Sequence, residues 1–363
     1  MIIEYCIGGL LLILSVIVHM YHVIHIRKKY VTPLVIDKVI NHEMTKQHIP
    51  GLCLSILKNG KLEYLKAYGE SNIETKTKMN VNGVFEIGSL AKQFTAVGIL
   101  LLVQDGKLRL EDSIQQFFPE SPLGWQYITV YQLLTHTSGL GDYPKRFDVM
   151  RNYKIDDYLQ IVYNSRLYFP AGYGFKYSNL GYTLLGIIIS QLTGSHYFNF
   201  LKSRIFNPLH MTSVSLNSHE KIIKNRVHGY HLKHKKLIND EFVSEFVDST
   251  ADGGICMNII DMSKWETSLN NNKLLKEEYF NMLFTPSMLN DGTSHAYGFG
   301  FELESTLENK LIYHDGLWRG YSCSMIHFTN DNLTVIVMTN LAEARPHYIA
   351  QLVKYVYLKS FIY

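Results

Sequence analysis

Cysteine and proline are scarce in this 363-residue chain, with four of the first and nine of the second. Cys6, Cys53, Cys256 and Cys323 lie far apart and none has C-x-x-C spacing, which excludes a zinc ribbon and a dithiol redox motif. The last three read as buried free thiols. Charge is also thin: Asp, Glu, Lys and Arg make up 18% of residues and the net charge is only +3. Without a long basic run, a nucleic-acid partner is excluded. There are no internal repeats and no low-complexity stretch. His228, His231 and His234 recur every third residue, but no cysteine or carboxylate cluster accompanies them, so they read as a polar hairpin and not as a metal site. No Gly-x-Ser-x-Gly surrounds Ser89 or Ser138, which excludes an α/β-hydrolase elbow.

What the chain does have is hydrophobic residues, 47% of the total, enough for a large folded core. From Ile7 to Ile26 they are nearly continuous, broken by Ser15, His19, His22 and His25. At about 1.5 Å per residue, about 20 residues span a hydrocarbon layer of roughly 30 Å. No Lys or Arg precedes the run and no small-residue cleavage site follows it, so it reads as a retained single transmembrane helix. Residues 1–30 are then an anchor with a basic flank, and 31–363 a separate globular part. Arg27, Lys28 and Lys29 would place that part in the cytoplasm by the positive-inside rule.

Thr32–Thr45 has helical periodicity. Leu52–Lys58 and Lys61–Tyr68 flank Asn59-Gly60, a strong hairpin signal, and the first strand is apolar on both faces, as a central strand is. Val84–Ile87 reads as a short strand feeding a buried helix over Ser89–Gln104 that Gly106 closes. Residues 107–290 are helix-rich, with helices over Val130–Thr135, Ile155–Tyr163 and Leu180–Leu192. Strands return at Gly298–Glu302, Leu311–His314, Tyr321–Phe328 and Leu333–Thr339, and a helix follows over Pro346–Lys359. The predicted class is α/β (α+β): an antiparallel sheet flanked by the two terminal helices, with a mostly helical subdomain (107–290) inserted.

Three short motifs carry chemistry. Ser89-Leu90-Ala91-Lys92 is S-x-x-K at a strand-to-helix junction, which sets Lys92 one helical turn from Ser89. A serine hydroxyl needs such a neighbour before it attacks a carbonyl, and its own N–H can face the resulting oxyanion. Tyr177-Ser178-Asn179 precedes a helix. A phenol with a pKa near 10 becomes a base only where a cation lowers it, and Lys92 is such a cation. Asn179 offers an amide to both Lys92 and a substrate acyl group. His314-Asp315-Gly316 ends a predicted strand, with His314 facing the cleft. Gly316 there admits a substrate to the strand edge, and Leu317 N–H is the second oxyanion donor. Which of Lys92 and Tyr177 takes the first proton is open, and the two should titrate as a coupled pair. The loop His136–Gly139 ends an apolar helix beside the cleft, and Trp318 and Arg319 stand either at the cleft mouth or in surface packing.

Taken together in this order, S-x-x-K, Y-x-N and H-x-G, the motifs resemble the penicillin-recognising serine hydrolases: class C β-lactamases, DD-peptidases and related esterases. Leu133–Leu140, Pro170-Ala171-Gly172 and Asp252-Gly253-Gly254 match as well, so the likeness runs from about Pro33 to the C-terminus. The resemblance implies a sheet domain and a helical domain with the site between them. It also implies Ser89, Lys92 and Tyr177 as catalytic and Asn179 and the Leu317 N–H as substrate-binding, to which the place of His314 and Gly316 at the strand edge adds those two residues. No cofactor is implied. The expected substrate is a D-alanyl peptide or ester of the cell envelope, with a small ester or a β-lactam as alternatives. A catalytically weak, membrane-tethered binding protein is a further alternative. True class C enzymes carry Lys-Thr-Gly where this chain has His314-Asp315-Gly316. A histidine with a pKa near 6.5 is mostly neutral at pH 7 and does not replace that cation, which argues against efficient penicillin hydrolysis. Envelope substrates place the catalytic part outside the cytoplasmic membrane, against the basic cluster at 27–29.

Overall fold

The computed structural model describes residues 15–20, 32–240, 243–305 and 310–359. Seven strands form one antiparallel sheet: β1 (Gly51–Lys58), β2 (Lys61–Asn72), β3 (Thr77–Lys78), β4 (Glu302–Ser305), β5 (Lys310–Trp318), β6 (Tyr321–Phe328) and β7 (Leu333–Thr339). Their order across the sheet is β4-β5-β6-β7-β1-β2-β3. The first strand of the chain thus pairs with the last, Leu52 opposite Thr339 and Lys58 opposite Leu333. Asn59 (φ 51°) and Gly60 (φ 68°) turn β1 into β2, the pair of left-handed residues that a tight hairpin needs.

β1 explains the two-layered core. Its side chains alternate between faces, and both faces are covered. Leu52, Leu54 and Ile56 pack with Ile36, Ile40 and Met44 of α1 (Thr32–Gln47) and with Ile349, Ala350 and Val353 of α4 (Pro346–Lys359). Cys53 and Leu57 face the other way, into the larger core that contains α2 (Ala91–Gln104). Every residue of α2 from Ala91 to Leu102 is buried, as its apolar circumference demands. Between α2 and β4 come the helices Val130–Leu134 and Ile155–Val162, then α3 (Asn179–Thr193), several shorter helices, the helix Ile259–Asn270 and pairs of short strands. The two central cysteines and Cys256 are buried and free, while Cys6 lies outside the described residues.

Two expectations are corrected. The strand expected over Gly298–Glu302 starts only at Glu302. Gly298 N–H donates to Phe301 O, Phe299 N–H donates to Leu283 O, and Gly300 (φ 79°) turns the chain against α2, where a Cβ would come within 2.9 Å of Lys92 O. The larger correction is the membrane anchor. Among the described residues no helix is long and apolar enough to cross a membrane. Of the run expected to span it, only 15–20 are described, and they are helical and exposed. The remainder of that run, and Arg27–Lys29, lie outside the described residues. The single-pass membrane placement, the membrane as partner and, with them, a membrane-tethered extracytoplasmic location are therefore not supported.

Candidate active site

The nucleophile candidate is positioned by two close backbone approaches. The short strand Phe85–Glu86 pairs with Ile255–Met257 and hands the chain to a single 3-10 turn, Gly88–Leu90, which runs into α2. Ser89 thus sits in a tight turn ahead of the α-helix and not in its first residue. Gly88 (φ 52°) lets this turn lie on β5, since a Cβ there would meet Leu317 N and O at 2.9 Å. On the facing strand a Cβ on Gly316 would stand 2.0 Å from Ile87 O. β4 pairs with β5 only from Lys310 to Tyr313, so beyond that point the 88–90 turn takes its place at the strand edge. His314-Asp315-Gly316 accordingly falls inside β5, which continues to Trp318, and does not end it. Gly316→Ala should lower urea-measured stability by about 1–3 kcal/mol, because turn and strand must part to admit the methyl group. A variant that unfolds with the wild type would show that the approach is not tight.

Lys92 is fully buried in the first turn of α2. Its Nζ lies 3.0 Å from Ser89 Oγ, 2.7 Å from Asn179 Oδ1 and 2.8 Å from the carbonyl of Asp252. Burial pulls its pKa down to about 8, although the carboxylates of Asp252 and Asp142 pull the other way. Asn179 opens α3, and its amide also donates to Asp142 Oδ1 (3.2 Å). Ser178 caps the same helix: its Oγ accepts from Gly181 N–H (2.9 Å) and donates to Gly141 O (2.6 Å).

Tyr177 is held by these elements over the Lys92 amine, 5.0 Å from Nζ to the ring centroid. Burial pushes its phenol well above the usual range, and a hydrogen bond with Ser89 offsets this only in part. The cation expected to lower the phenol therefore does not prevail over desolvation. His314 is buried, not an open-cleft residue. Its Nδ1 is 2.7 Å from Asp315 O, an acceptor, so the proton sits there. Nε2 is then free to accept from the hydroxyls of Tyr297 (3.2 Å) and, at the outer limit, Tyr177 (3.5 Å). Burial, with the Lys92 charge, holds the imidazole down at about 4, so it carries no charge at neutral pH.

Of these groups Ser89 and Asn179 line a cleft of about 780 Å³, together with Asp142, Leu317, Trp318 and Arg319, while Lys92, Tyr177 and His314 do not line it. A larger cavity of about 1200 Å³ lies elsewhere, around Asn82, Lys202 and Lys221, and contains none of the motif residues. Among the described residues no three His, Cys, Asp or Glu side chains are grouped to hold a metal. His231 instead lies between Asp240 and Glu343, 3.3 Å from each. Ser138 is buried in its loop, where its Oγ accepts from Leu140 N–H.

Several residues at the site escaped the motif reading. The Asp252 carbonyl holds Lys92, while the Asp252 carboxylate accepts from Tyr143 and Thr183, each at 3.0 Å. The Asp252-Gly253-Gly254 stretch pointed to this segment but not to its main-chain contact. Tyr297 had no signal, being one of 25 tyrosines.

Comparison with known proteins matches the family named Beta-lactamase over residues 36–356. The chain belongs to the beta-lactamase family. This bears out its kinship with the penicillin-recognising serine hydrolases. Penicillin-binding protein 4* of Bacillus subtilis is 30% identical over 302 residues, which cover 78% of this chain and 66% of that protein. Protein flp of Staphylococcus aureus is 28% identical over 331 residues, covering 88% and 65%. The chain thus spans about two thirds of the length of these curated relatives. Among solved structures, the octameric penicillin-binding protein homologue from Pyrococcus abyssi superposes with a TM-score of 0.77 at 27% identity, over 89% of this chain and 77% of that one. The D-amino acid amidase from Ochrobactrum anthropi reaches 0.76 at 24% identity, over 91% and 97%, and shows the fold alone.

Proposed function

We propose that this beta-lactamase-family chain hydrolyses an amide or ester through an acyl-enzyme on Ser89. The observation that carries the reading is the set of three partners around Lys92 Nζ: Ser89 Oγ, Asn179 Oδ1 and the Asp252 carbonyl. A neutral amine has two N–H groups and one lone pair. With the N–H groups donated to Asn179 and Asp252, the lone pair is left for the Ser89 proton. The pKa near 8 makes that neutral form accessible at physiological pH.

Ser89 Oγ attacks the carbonyl as Lys92 takes its proton. The N–H groups of Ser89 and Leu317, on the turn and strand that Gly88 and Gly316 bring together, receive the oxyanion. Tyr177, a phenol and not a phenolate, hands a proton to the leaving group and is recharged through Lys92. Asn179 steadies both the amine and the acyl group, and His314 accepts from the tyrosine hydroxyls. Water then releases the acyl group by the reverse proton path. The favoured substrate is a D-alanyl peptide or ester. The names of the Bacillus and Pyrococcus proteins, which refer to penicillin binding, support it. His314 supplies no positive charge for a substrate carboxylate at neutral pH, so β-lactams are expected to acylate the site but turn over slowly.

The test is covalent. A fluorophosphonate or benzylpenicillin should add to the protein once, and peptide mapping should place the adduct on Ser89. A label on any other serine, or none, rejects the reading. Tyr177→Phe should lower kcat about 10²–10³-fold with KM within about threefold, since the phenol acts in proton transfer and not in ground-state binding. An unchanged kcat would remove Tyr177 from the reaction.

A further inference from the structure

The loop after the helix Val130–Leu134 grips the Tyr177 segment from both sides. The main-chain carbonyl of His136 accepts from Lys176 N–H at 2.9 Å, and His136 Nδ1 accepts from Ser178 N–H at 3.1 Å. These are the N–H groups of the two residues that precede and follow Tyr177. The imidazole also packs on the phenol ring itself, centroids 4.3 Å apart and planes 36° apart. His136 is fully buried and takes a left-handed backbone, φ 60°, an uncommon conformation for a residue with a side chain.

The protonation state follows from geometry. A peptide N–H can only donate, so Nδ1 must be bare and the ring proton must reside on Nε2. Nε2 is buried and no nitrogen or oxygen accepts from it. Its surroundings are rings: besides Tyr177, Tyr297 lies at 4.6 Å and Tyr182 at 5.1 Å between centroids. An N–H beside aromatic faces finds only a weak acceptor. The groups that act on this ring electrostatically are Lys92, His314 and His295, and with burial they keep it from charging. A proton on Nδ1 would also break the bond to Ser178.

We propose that His136 is a positioning residue for Tyr177, a neutral clamp whose carbonyl and Nδ1 hold the N–H groups of Lys176 and Ser178, the residues on either side of the phenol. The proposal rests on the reading of Tyr177 as proton donor in the Ser89 reaction. An ordinary buried histidine would serve packing only, and two variants separate the roles. In His136→Asn the amide oxygen stands where Nδ1 stood, and asparagine tolerates the left-handed backbone. In His136→Gln the amide lies one atom farther out, away from Ser178 N–H. Rates of Ser89 labelling by a fluorophosphonate should stay within about threefold of wild type in His136→Asn. They should fall about 10–100-fold in His136→Gln, in the maximal labelling rate constant and not in the reagent's apparent affinity, since misplacing a proton donor by about 1 Å has that effect. Equal rates in the two variants, fast or slow, overturn the clamp. Long-range ¹H–¹⁵N spectra of the wild-type protein provide a second measurement that needs no variant. The Nε2–H tautomer should persist from pH 6 to pH 9, and an Nδ1–H or doubly protonated ring overturns the proposal. If wild-type Ser89 is not labelled at all, the reaction scheme fails, while the tautomer still decides the clamp.

Discussion

Replacing Ser89 by alanine is expected to lower kcat/KM at least about 10⁴-fold and to abolish covalent labelling, while the fold stays intact. Loss of a nucleophile removes the whole covalent path, so little remains beyond the oxyanion donors and binding. The fold should tolerate the change because the turn is fixed by backbone contacts: Leu90 N–H to Ile87 O, Ile87 N–H to Ile255 O, and the approach of Gly88 to Leu317. None of these uses the hydroxyl. The measurement is a steady-state assay with a D-alanyl ester, paired with an unfolding curve. A variant that keeps more than a few per cent of the activity would move the chemistry to another group.

Lys92→Met is expected to lower kcat/KM about 10³–10⁴-fold, the upper range for a general base, and to change the pH dependence. Burial disfavours the charged amine and brings its pKa to about 8. The base is competent only when deprotonated. In the wild type, kcat/KM should therefore rise about tenfold per pH unit below that value and level off above it. Tyr177 is displaced upward, not toward neutrality, so it adds no second inflection in this range. His314 titrates near 4 and leaves the limb above pH 6 to Lys92. In Lys92→Met the residual rate should be flat between pH 6 and 9. A wild-type profile that is flat there, or that falls with pH, would contradict the assignment of Lys92 as base.

Local signals made much of the architecture readable in advance. Asn59-Gly60 specifies its turn by backbone conformation alone, and the largely apolar β1, interrupted only by Ser55, requires a sheet covered on both faces. Ser89 and Lys92 are three residues apart, so helical geometry suffices to join them. What was missed depends on distant backbone and not on residue type. The Asp252 carbonyl that holds Lys92 could come from any residue, and the clamp around Tyr177 depends on the tautomer of His136, which no sequence displays. The strand placed at Gly298–Glu302 failed because Gly300 is there for its close approach to α2, a demand set by Lys92 and Gln93, far earlier in the chain. The expected anchor is not supported: an apolar run records composition, whereas a span requires a helix long and apolar enough to cross, and among the described residues there is none.

The pairing of β1 with β7 also dictates a timetable. As the polypeptide leaves the ribosome, the Gly51–Asn72 hairpin emerges long before the partner for its inner edge, Leu333–Thr339. Until then Leu52–Leu57 presents unpaired, apolar main chain, a template for sticking to other molecules. Folding of this enzyme should thus be slow and late, and nascent chains halted before residue 333 should depend on chaperones to stay out of aggregates.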